Sequence, residues 1–285
     1  MALAEQRSGR PPLLDASGPS AFSSDLRRLL SLTWLIARTQ FQLAYFNSVL
    51  GPVWTLMRPL LLFGVLYVVF SQIVDFGSDI TNYPVLLLLN IVLFTFFQEA
   101  TSASVPSLVD REALLRKMQF PRVAIPLSTV LTACLNMALN LVAVIVFLLA
   151  YGVEPRWTWL LLPVVLAPLI AVTAGAGMLL SSLYVRFRDI APIWSVFATM
   201  LFYGTPVLYA IDTVPDDFER YVLFNPVACL LEQARHWIVD PDARGAVEAI
   251  GGWGWFMVPV AIGCAIVVLG TWVFGREAPR IAERL

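Results

Sequence analysis

The one lysine of this 285-residue chain, Lys117, stands in the segment ALLRKMQFPR, and its surroundings exclude one kind of chemistry at once. A nucleotide-hydrolysing loop sets its lysine just after a glycine-rich turn whose backbone N–H groups cradle phosphates. No such turn precedes Lys117, so the chain does not hydrolyse ATP by that route. The single histidine, His236, cannot make a metal site alone and reads as an interfacial polar residue beside Trp237. Cys134, Cys229 and Cys264 share no repeated spacing and supply neither a disulfide framework nor a metal set. No Ser–His–Asp arrangement, HExxH or paired-carboxylate motif can be assembled, so the residues do not describe a catalyst of bond chemistry and call for no cofactor in this chain. Glu99 is the exception to an otherwise unreactive set, because it lies inside an apolar run. An ionisable group at the centre of a membrane helix costs about 2.5–3.5 kcal/mol on insertion scales and so faces protein or water. Two readings of Glu99 stand side by side: a lining group for a polar ligand, or a structural hydrogen bond to a neighbouring helix.

The elements that must hold these residues follow from composition. With 59% apolar and 14% charged residues and a mean hydropathy of +0.76, the chain carries more apolar surface than a soluble domain of its length buries. The expected fold class is an all-α polytopic membrane protein. About 20 apolar residues of helix cross a hydrocarbon core about 30 Å thick. Six runs qualify: 53–74, 84–106, 123–151, 158–184, 190–211 and 253–274. Prolines 163, 168 and 192 fall within or at the ends of these runs, where neighbouring helices satisfy the freed carbonyls.

Arginine sets the expected orientation, since basic residues of short loops stay on the cytoplasmic side. One face of the six-span arrangement holds 15 of the 19 basic residues, and the other holds four of them with eleven of the twenty acids. An even number of spans then puts both termini in the cytoplasm and an acidic face outside, in an inner or plasma membrane. Before the first span, Leu26, Leu30, Trp34, Ala37, Phe41 and Tyr45 recur at helical spacing. Ser23 or Ser24 can cap this helix, with Asp25 in its first turn. Residues 24–52 therefore read as an amphipathic helix in the inner interface ending near Gly51-Pro52, residues 1–23 as a disordered cytoplasmic tail, and 53–285 as the six-span domain.

The inner loop after the second span has a charge pattern of its own. Asp110 and Glu112 stand at the N-terminal end of a helix-compatible stretch and Arg116, Lys117 and Arg122 at its C-terminal end, each complementing the helix dipole. Leu114, Leu115, Met118 and Phe120 give the same stretch an apolar surface, and Pro121 ends it. The positive-inside rule accounts for the bases of an ordinary solvated loop but not for these apolar residues. A rigid peg with an apolar tip and a charged collar accounts for both.

At this point two segments carry a family resemblance. FNSVLGPVWTLMRPLLLFGVLYVVF at 46–70 and SLVDREALLRKMQFPRVAIPLS at 107–128, with six spans and the outer segment FNPVACLLEQARHWI at 224–238, resemble the membrane subunit of a type-2 ABC exporter. The resemblance covers residues 25–280 and is nearest the branch that exports lipid-linked polysaccharides: O-antigen, teichoic acid and the mycobacterial galactan precursor. Eighteen arginines to one lysine suggest a GC-rich genome, a compositional hint toward an actinobacterial galactan exporter. The resemblance implies a homodimeric permease above two copies of a separate ATPase, which binds ATP and Mg, with the 107–121 peg as the coupling helix. It implies a lipid-linked glycan as substrate and no nucleic acid as partner. A drug or small-lipid exporter of the same fold is the alternative, and a membrane-embedded transferase a third, which would need an acid or base beyond Glu99.

The substrate path is read from helix faces. Phe63, Tyr67 and Phe70 share one face of the first span; Asn90, Phe94, Phe97 and Thr101, with Gln98 and Glu99 beside them, line the second; Trp194, Thr199, Tyr203 and Pro206 are candidates on the fifth. Sugars stack their C–H faces on aromatic rings without fixing a register, which suits a sliding polymer. Aromatic stripes in membrane helices also pack helix on helix, and both readings stay open. Outside, residues 212–252 carry eight acids and three bases around the apolar run YVLFNPVACLLEQARHWIV. That run reads as a re-entrant helical hairpin turning at Asn225-Pro226, with a plain surface amphipathic helix as the alternative.

Overall fold

The computed structural model describes residues 26–46, 51–73, 80, 82–113 and 121–284. The tail at 1–23, the caps at Ser23, Ser24 and Asp25, and the centre of the expected peg (Leu114, Leu115, Arg116, Lys117, Met118 and Phe120) lie outside the described residues. Helix α1 spans Leu26–Phe46, and α2, Gly51–Tyr67, widens into a π-helix at Val68–Ile73. Then come α3 (Tyr83–Ser104), α4 (Ala124–Ala150), α5 (Leu162–Arg186, preceded by a 3₁₀ turn at Trp157–Leu161) and α6 (Ile190–Gly204). Three short helices follow: α7 (Asp216–Leu223), α8 (Pro226–Ala234, continued by a π-turn Arg235–Val239) and α9 (Ala246–Ala249). The last, α10, runs Trp253–Arg284. No strand occurs among the described residues.

Among the described residues five helices are long and apolar enough to cross a membrane, and α6 is a shorter apolar helix. The protein is thus all-α and multi-pass, but the fifth expected run, 190–211, is helical only to Gly204. At 15 residues, α6 is about 22 Å long, short of the hydrocarbon thickness. Its end is built in. Thr205 precedes Pro206, which pushes it to an extended conformation (φ −96°, ψ 145°) and withdraws a backbone donor. The unwound strand of chain is then fastened from two sides. Tyr83 donates its hydroxyl to the Leu208 carbonyl at 2.8 Å, and Asn90 Nδ2 donates to that of Pro206 at 3.0 Å. Asn225 Nδ2 donates to Thr205 Oγ1 at 2.9 Å while its Oδ1 accepts from the Val227 N–H at 3.0 Å, capping α8.

The central helix is α3. Its sequence YPVLLLLNIVLFTFF is apolar on every side, and nearly all of it is buried, as expected of a helix with no solvent face. Around it pack α2, α4, α5 and α6, with α10 laid against α5. Small residues allow the close crossings. A Cβ on Gly177 would lie 2.8 Å from Ser104 Oγ on α3, and one on Gly175 would lie 2.7 Å from the Val267 Cα on α10.

Helix α1 packs on α4, and of the stripe named from the sequence only Ala37 turns into that contact. Leu29, Thr33 and Ala37 are the buried positions, whereas Leu26, Leu30 and Trp34 point outward and are at least half exposed. The cause is steric: the narrow Thr33/Ala37 side lets the helices approach, with Thr132 Oγ1 on α4 meeting Gln40 Oε1 at 3.2 Å. The bulky apolar stripe is left for the surroundings.

Candidate functional site

Two regions hold the residues singled out by the sequence: the helix faces around α3 and the inner loop between α3 and α4. Around α3 the expected path residues part into groups. Phe94 is fully enclosed and meets Phe202 of α6 edge-on, with ring centres 5.3 Å apart. Phe97, 4% exposed, meets Trp194 at 6.2 Å, and the Trp194 indole N–H donates to Thr101 Oγ1 at 3.2 Å. Asn90 is buried and spends its amide on Pro206, leaving its Oδ1 without a partner. No ligand reaches these three unless helices separate. Phe63 and Tyr67 are half-buried and stacked 5.7 Å apart, and Phe63 leans edge-on against Phe147 of α4. Phe70 is half-buried beside them. Tyr203 is mostly exposed, and Thr199 hydrogen-bonds its own helix at the Ser195 carbonyl.

Phe97→Ala should therefore act as a packing change. A buried Phe truncated to Ala costs about 3–5 kcal/mol in soluble cores. The yield of folded protein is expected to fall while activity per folded molecule holds. Gel-filtration yield set against activity per mole reads this directly; normal yield with lost activity contradicts it.

Glu99 is placed by a partner that sequence reasoning did not supply. Its carboxylate lies 3.6 Å from Arg58 Nη1 of α2. The pair is not enclosed: the side chains are 76% exposed at Arg58 and 39% at Glu99.

At the inner end, residues 105–111 form successive turns and a helix begins at Glu112. Asp110 is exposed and Glu112 half-buried, while Arg111 donates to Ser128 Oγ of α4 at 3.1 Å. Burial lowers the pKa of Arg111, opposed by the charge of Asp110. Arg122, expected on the exposed collar of the peg, is instead 5% exposed, with Nη1 unpartnered and its pKa lowered by burial. Pro121 has turned the chain into α4 by then, so Arg122 belongs to the buried start of that helix. Both ends of the segment are rooted in one apolar cluster: Leu108, Val123, Ala124 and Ile125 meet Leu29 of α1, Met178 of α5 and Phe274 of α10. The base of the loop is thereby packed against three other helices.

The outer end carries a network the sequence did not reveal. Asp212 Oδ2 lies 2.8 Å from Arg235 Nη1, which also meets Glu232 Oε1 at 3.0 Å. Arg244 reaches Asp212 Oδ1 at 2.7 Å and bonds Glu219. Glu219, Glu232 and Arg235 are buried. The network ties the chain after α6 to α7, α8 and the 240–245 turn, and Arg220 stacks over Trp255 of α10 at 4.6 Å. The buried face of α8 (Val227, Ala228, Cys229, Leu231 and Ala234) sets it apart from a surface amphipathic helix. His236 accounts for itself as a turn contact, with Nδ1 2.7 Å from the Ala243 carbonyl.

Three carboxyl groups and two guanidinium groups make this network neutral only if one acid keeps its proton. Burial pushes Glu232 up to about 7 against the pull of Arg235. Burial also pushes Asp212 up, but hydrogen bonds from Arg244 and Arg235 outweigh it and hold that carboxyl below its ordinary value. The signs are opposite. Glu232 contributes stability that is complete below its ordinary value of 4.5 and is lost as pH rises through about 7. Asp212 contributes above 3.8 and loses its share as pH falls further. Resistance to thermal unfolding is thus expected to fall from pH 5 to pH 8 by on the order of 2 kcal/mol, and Glu232→Gln to flatten that slope. An unchanged slope in the variant rules Glu232 out as its source.

The comparisons with known proteins agree with this architecture. The family described as ABC-2 type transporter matches residues 31–238. The chain is 28% identical over 262 residues to an O-antigen export system permease protein, RfbA, of Klebsiella pneumoniae, covering 92% of this chain and 97% of that protein. It is 30% identical over 222 residues to the RfbA protein of Myxococcus xanthus, covering 75% and 85%. The polysialic acid transport protein KpsM of Escherichia coli is 22% identical over 191 residues, covering 65% and 72%. The match takes in most of α1, the loop between α3 and α4, all the candidate spans but α10, and the α7–α8 pair, and the chain belongs to the ABC-2 type transporter family.

Proposed function

We propose that the chain is the membrane-spanning subunit of an ATP-driven exporter of lipid-linked polysaccharide, of the O-antigen or galactan kind. The observation that carries this reading is its similarity, along 92% of its length, to a permease named for O-antigen export. Two copies form one pathway in the inner or plasma membrane, above two copies of an ATPase that binds ATP and Mg. Residues 107–121 are the coupling segment, with turns to Arg111 and a helix starting at Glu112, braced by the Leu108–Val123–Phe274 cluster. ATP-driven closure of the partner subunits moves this segment, and the cluster carries the movement into α1, α5 and α10. Phe63, Tyr67 and Phe70 of α2, with Tyr203 and Glu99, face the glycan, while Phe94, Phe97 and Asn90 form the scaffold behind them. The α7–α8 pair is the re-entrant hairpin at the outer mouth, and α1 lies in the inner interface with its Leu26–Leu30–Trp34 stripe toward lipid.

Deleting the gene should remove polymer from the cell surface and leave lipid-linked precursor on the inner face, and the intact gene should restore it. Normal surface polymer in the deletion strain rejects the reading. Orientation has its own test. In a background freed of Cys134, Cys229 and Cys264, Asp216→Cys should react with an impermeant external thiol reagent, and Arg280→Cys only after permeabilisation. Equal external labelling at both positions contradicts an even number of crossings.

A further inference from the structure

A cavity of 530 Å³ opens between α1, α2, α3 and α4, within the range of small-ligand pockets. Its walls are polar although α2, α3 and α4 are otherwise apolar enough to cross a membrane. On α3, Thr95, Glu99 and Ser102 follow one another at helical spacing; on α4, Thr129, Thr132, Asn136 and Asn140 do the same; α1 supplies Gln40. On α2, Trp54 stands one turn before Arg58, its indole 65% exposed. Arg58 sits seven residues into α2, about 10 Å from its start, and Asn140 lies midway along α4, so the cavity extends from the inner end toward the middle of the protein. Three separate helices with polar stripes converging on one space make a built site, because each such residue facing lipid would carry an insertion cost.

The chemistry of the walls selects the ligand. An anion site needs surplus positive charge, but the guanidinium of Arg58 is offset by Glu99 at 3.6 Å. What remains is a neutral surface of amides, hydroxyls and one carboxylate–guanidinium pair beside an exposed indole face. Amides and carboxylates bridge adjacent hydroxyl groups, and an indole offers a flat apolar face to C–H groups. We propose that this cavity binds a sugar ring of a membrane-borne glycolipid on the inner side, namely the ring nearest the lipid carrier. The assignment deepens the polysaccharide-export reading and rests on it. Trp54, Gln40, Asn136 and Asn140 become recognition residues, and Arg58 and Glu99 orient as a pair.

The test uses the protein purified with its co-expressed ATPase in lipid nanodiscs. Binding of three radiolabelled probes is measured: a polyprenyl-pyrophosphate disaccharide, the bare polyprenyl pyrophosphate, and a monoglucosyl diacylglycerol. The wild type is expected to bind the disaccharide carrier at least tenfold more tightly than either other probe. Trp54→Ala and Asn140→Ala, both at accessible positions, should reduce that preference to threefold or less with unchanged gel-filtration profiles. Glu99→Gln should strengthen binding of the bare pyrophosphate by freeing Arg58 for an anion. Equal binding of carrier with and without sugar in the wild type overturns the proposal in favour of a phosphate site, and equal binding of the monoglucosyl lipid overturns the assignment to the carrier-linked ring. A preference that survives Trp54→Ala and Asn140→Ala likewise places the sugar elsewhere. Surface polymer in cells separates the two claims: if cells export while these variants keep the preference, only the cavity assignment fails. A wild type that neither exports nor binds any glycosylated probe defeats the export reading itself.

Discussion

Gly270→Ala is expected to reduce the yield of monodisperse protein at least tenfold. At the crossing of α10 with α5, a Cβ on Gly270 would fall onto the carbonyl of Gly175, and one on Gly175 would lie 2.7 Å from the Val267 Cα. Backbone on both sides leaves no flexible side chain to yield, so the helices themselves must part. Overpacking costs typically 1–3 kcal/mol where side chains can adjust, and the cost here lies at or above about 3 kcal/mol. That is a large share of a marginal folding free energy of about 5–15 kcal/mol. Gly64→Ala on α2 is the matched control, since a Cβ there meets nothing within 4 Å. Detergent-extracted yield and thermal unfolding of the two variants decide the matter. Equal yields would show that α5 and α10 have room to separate.

Leu115→Asp combined with Met118→Asp should abolish coupling and leave folding intact. In the proposed coupling segment these are apolar positions of the sequence, and burying a carboxylate against a partner without a compensating charge is costly. The base of the loop is held separately by Leu108, Val123 and Phe274, none of which is altered. Membrane abundance should match the wild type, co-purification of the ATPase should be lost, and export should fall at least tenfold. Export and stimulated ATP turnover that both survive the double change remove the segment from the coupling role.

These two predictions draw on different sources, which shows what the sequence made legible. The charge and apolar pattern of the loop is a local property of residue types, and its centre lies outside the described residues. The Gly175–Gly270 crossing was not legible, since the two glycines are far apart in the chain and only their juxtaposition gives them meaning; the AGAG run at 174–177 was the available signal, a small-residue stripe of the kind that brings membrane helices close. Hydrophobic runs placed the long helices well. They overextended the fifth, where hydropathy continues to Ile211 but Thr205-Pro206 and three long-range hydrogen bonds end the helix. Asn225 followed by Pro226 carried a helix-start signature, and the structure uses it as a cap. In α1 the apolar stripe was legible, but the side that packs on α4, Leu29, Thr33 and Ala37, was not, because small and polar residues carry no hydrophobic signal. The aromatic residues of α3 left path and packing both open, and Phe94 and Phe97 proved to be enclosed. Ion pairs were the least legible feature: Arg58 with Glu99, and Asp212 with Arg235 and Arg244, join residues on separate elements, and nothing local marks them.

The measurement closest to the central claim is transport itself. The chain, co-purified with its ATPase and reconstituted into sealed vesicles, is given a defined polyprenyl-pyrophosphate-linked glycan on the ATPase side and sampled for glycan on the opposite side. ATP-dependent appearance of the intact lipid-linked glycan, abolished by Leu115→Asp with Met118→Asp, is the predicted result. Continued ATP turnover with no glycan crossing for any carrier-linked substrate, in vesicles that do move a small amphipathic drug, would contradict it.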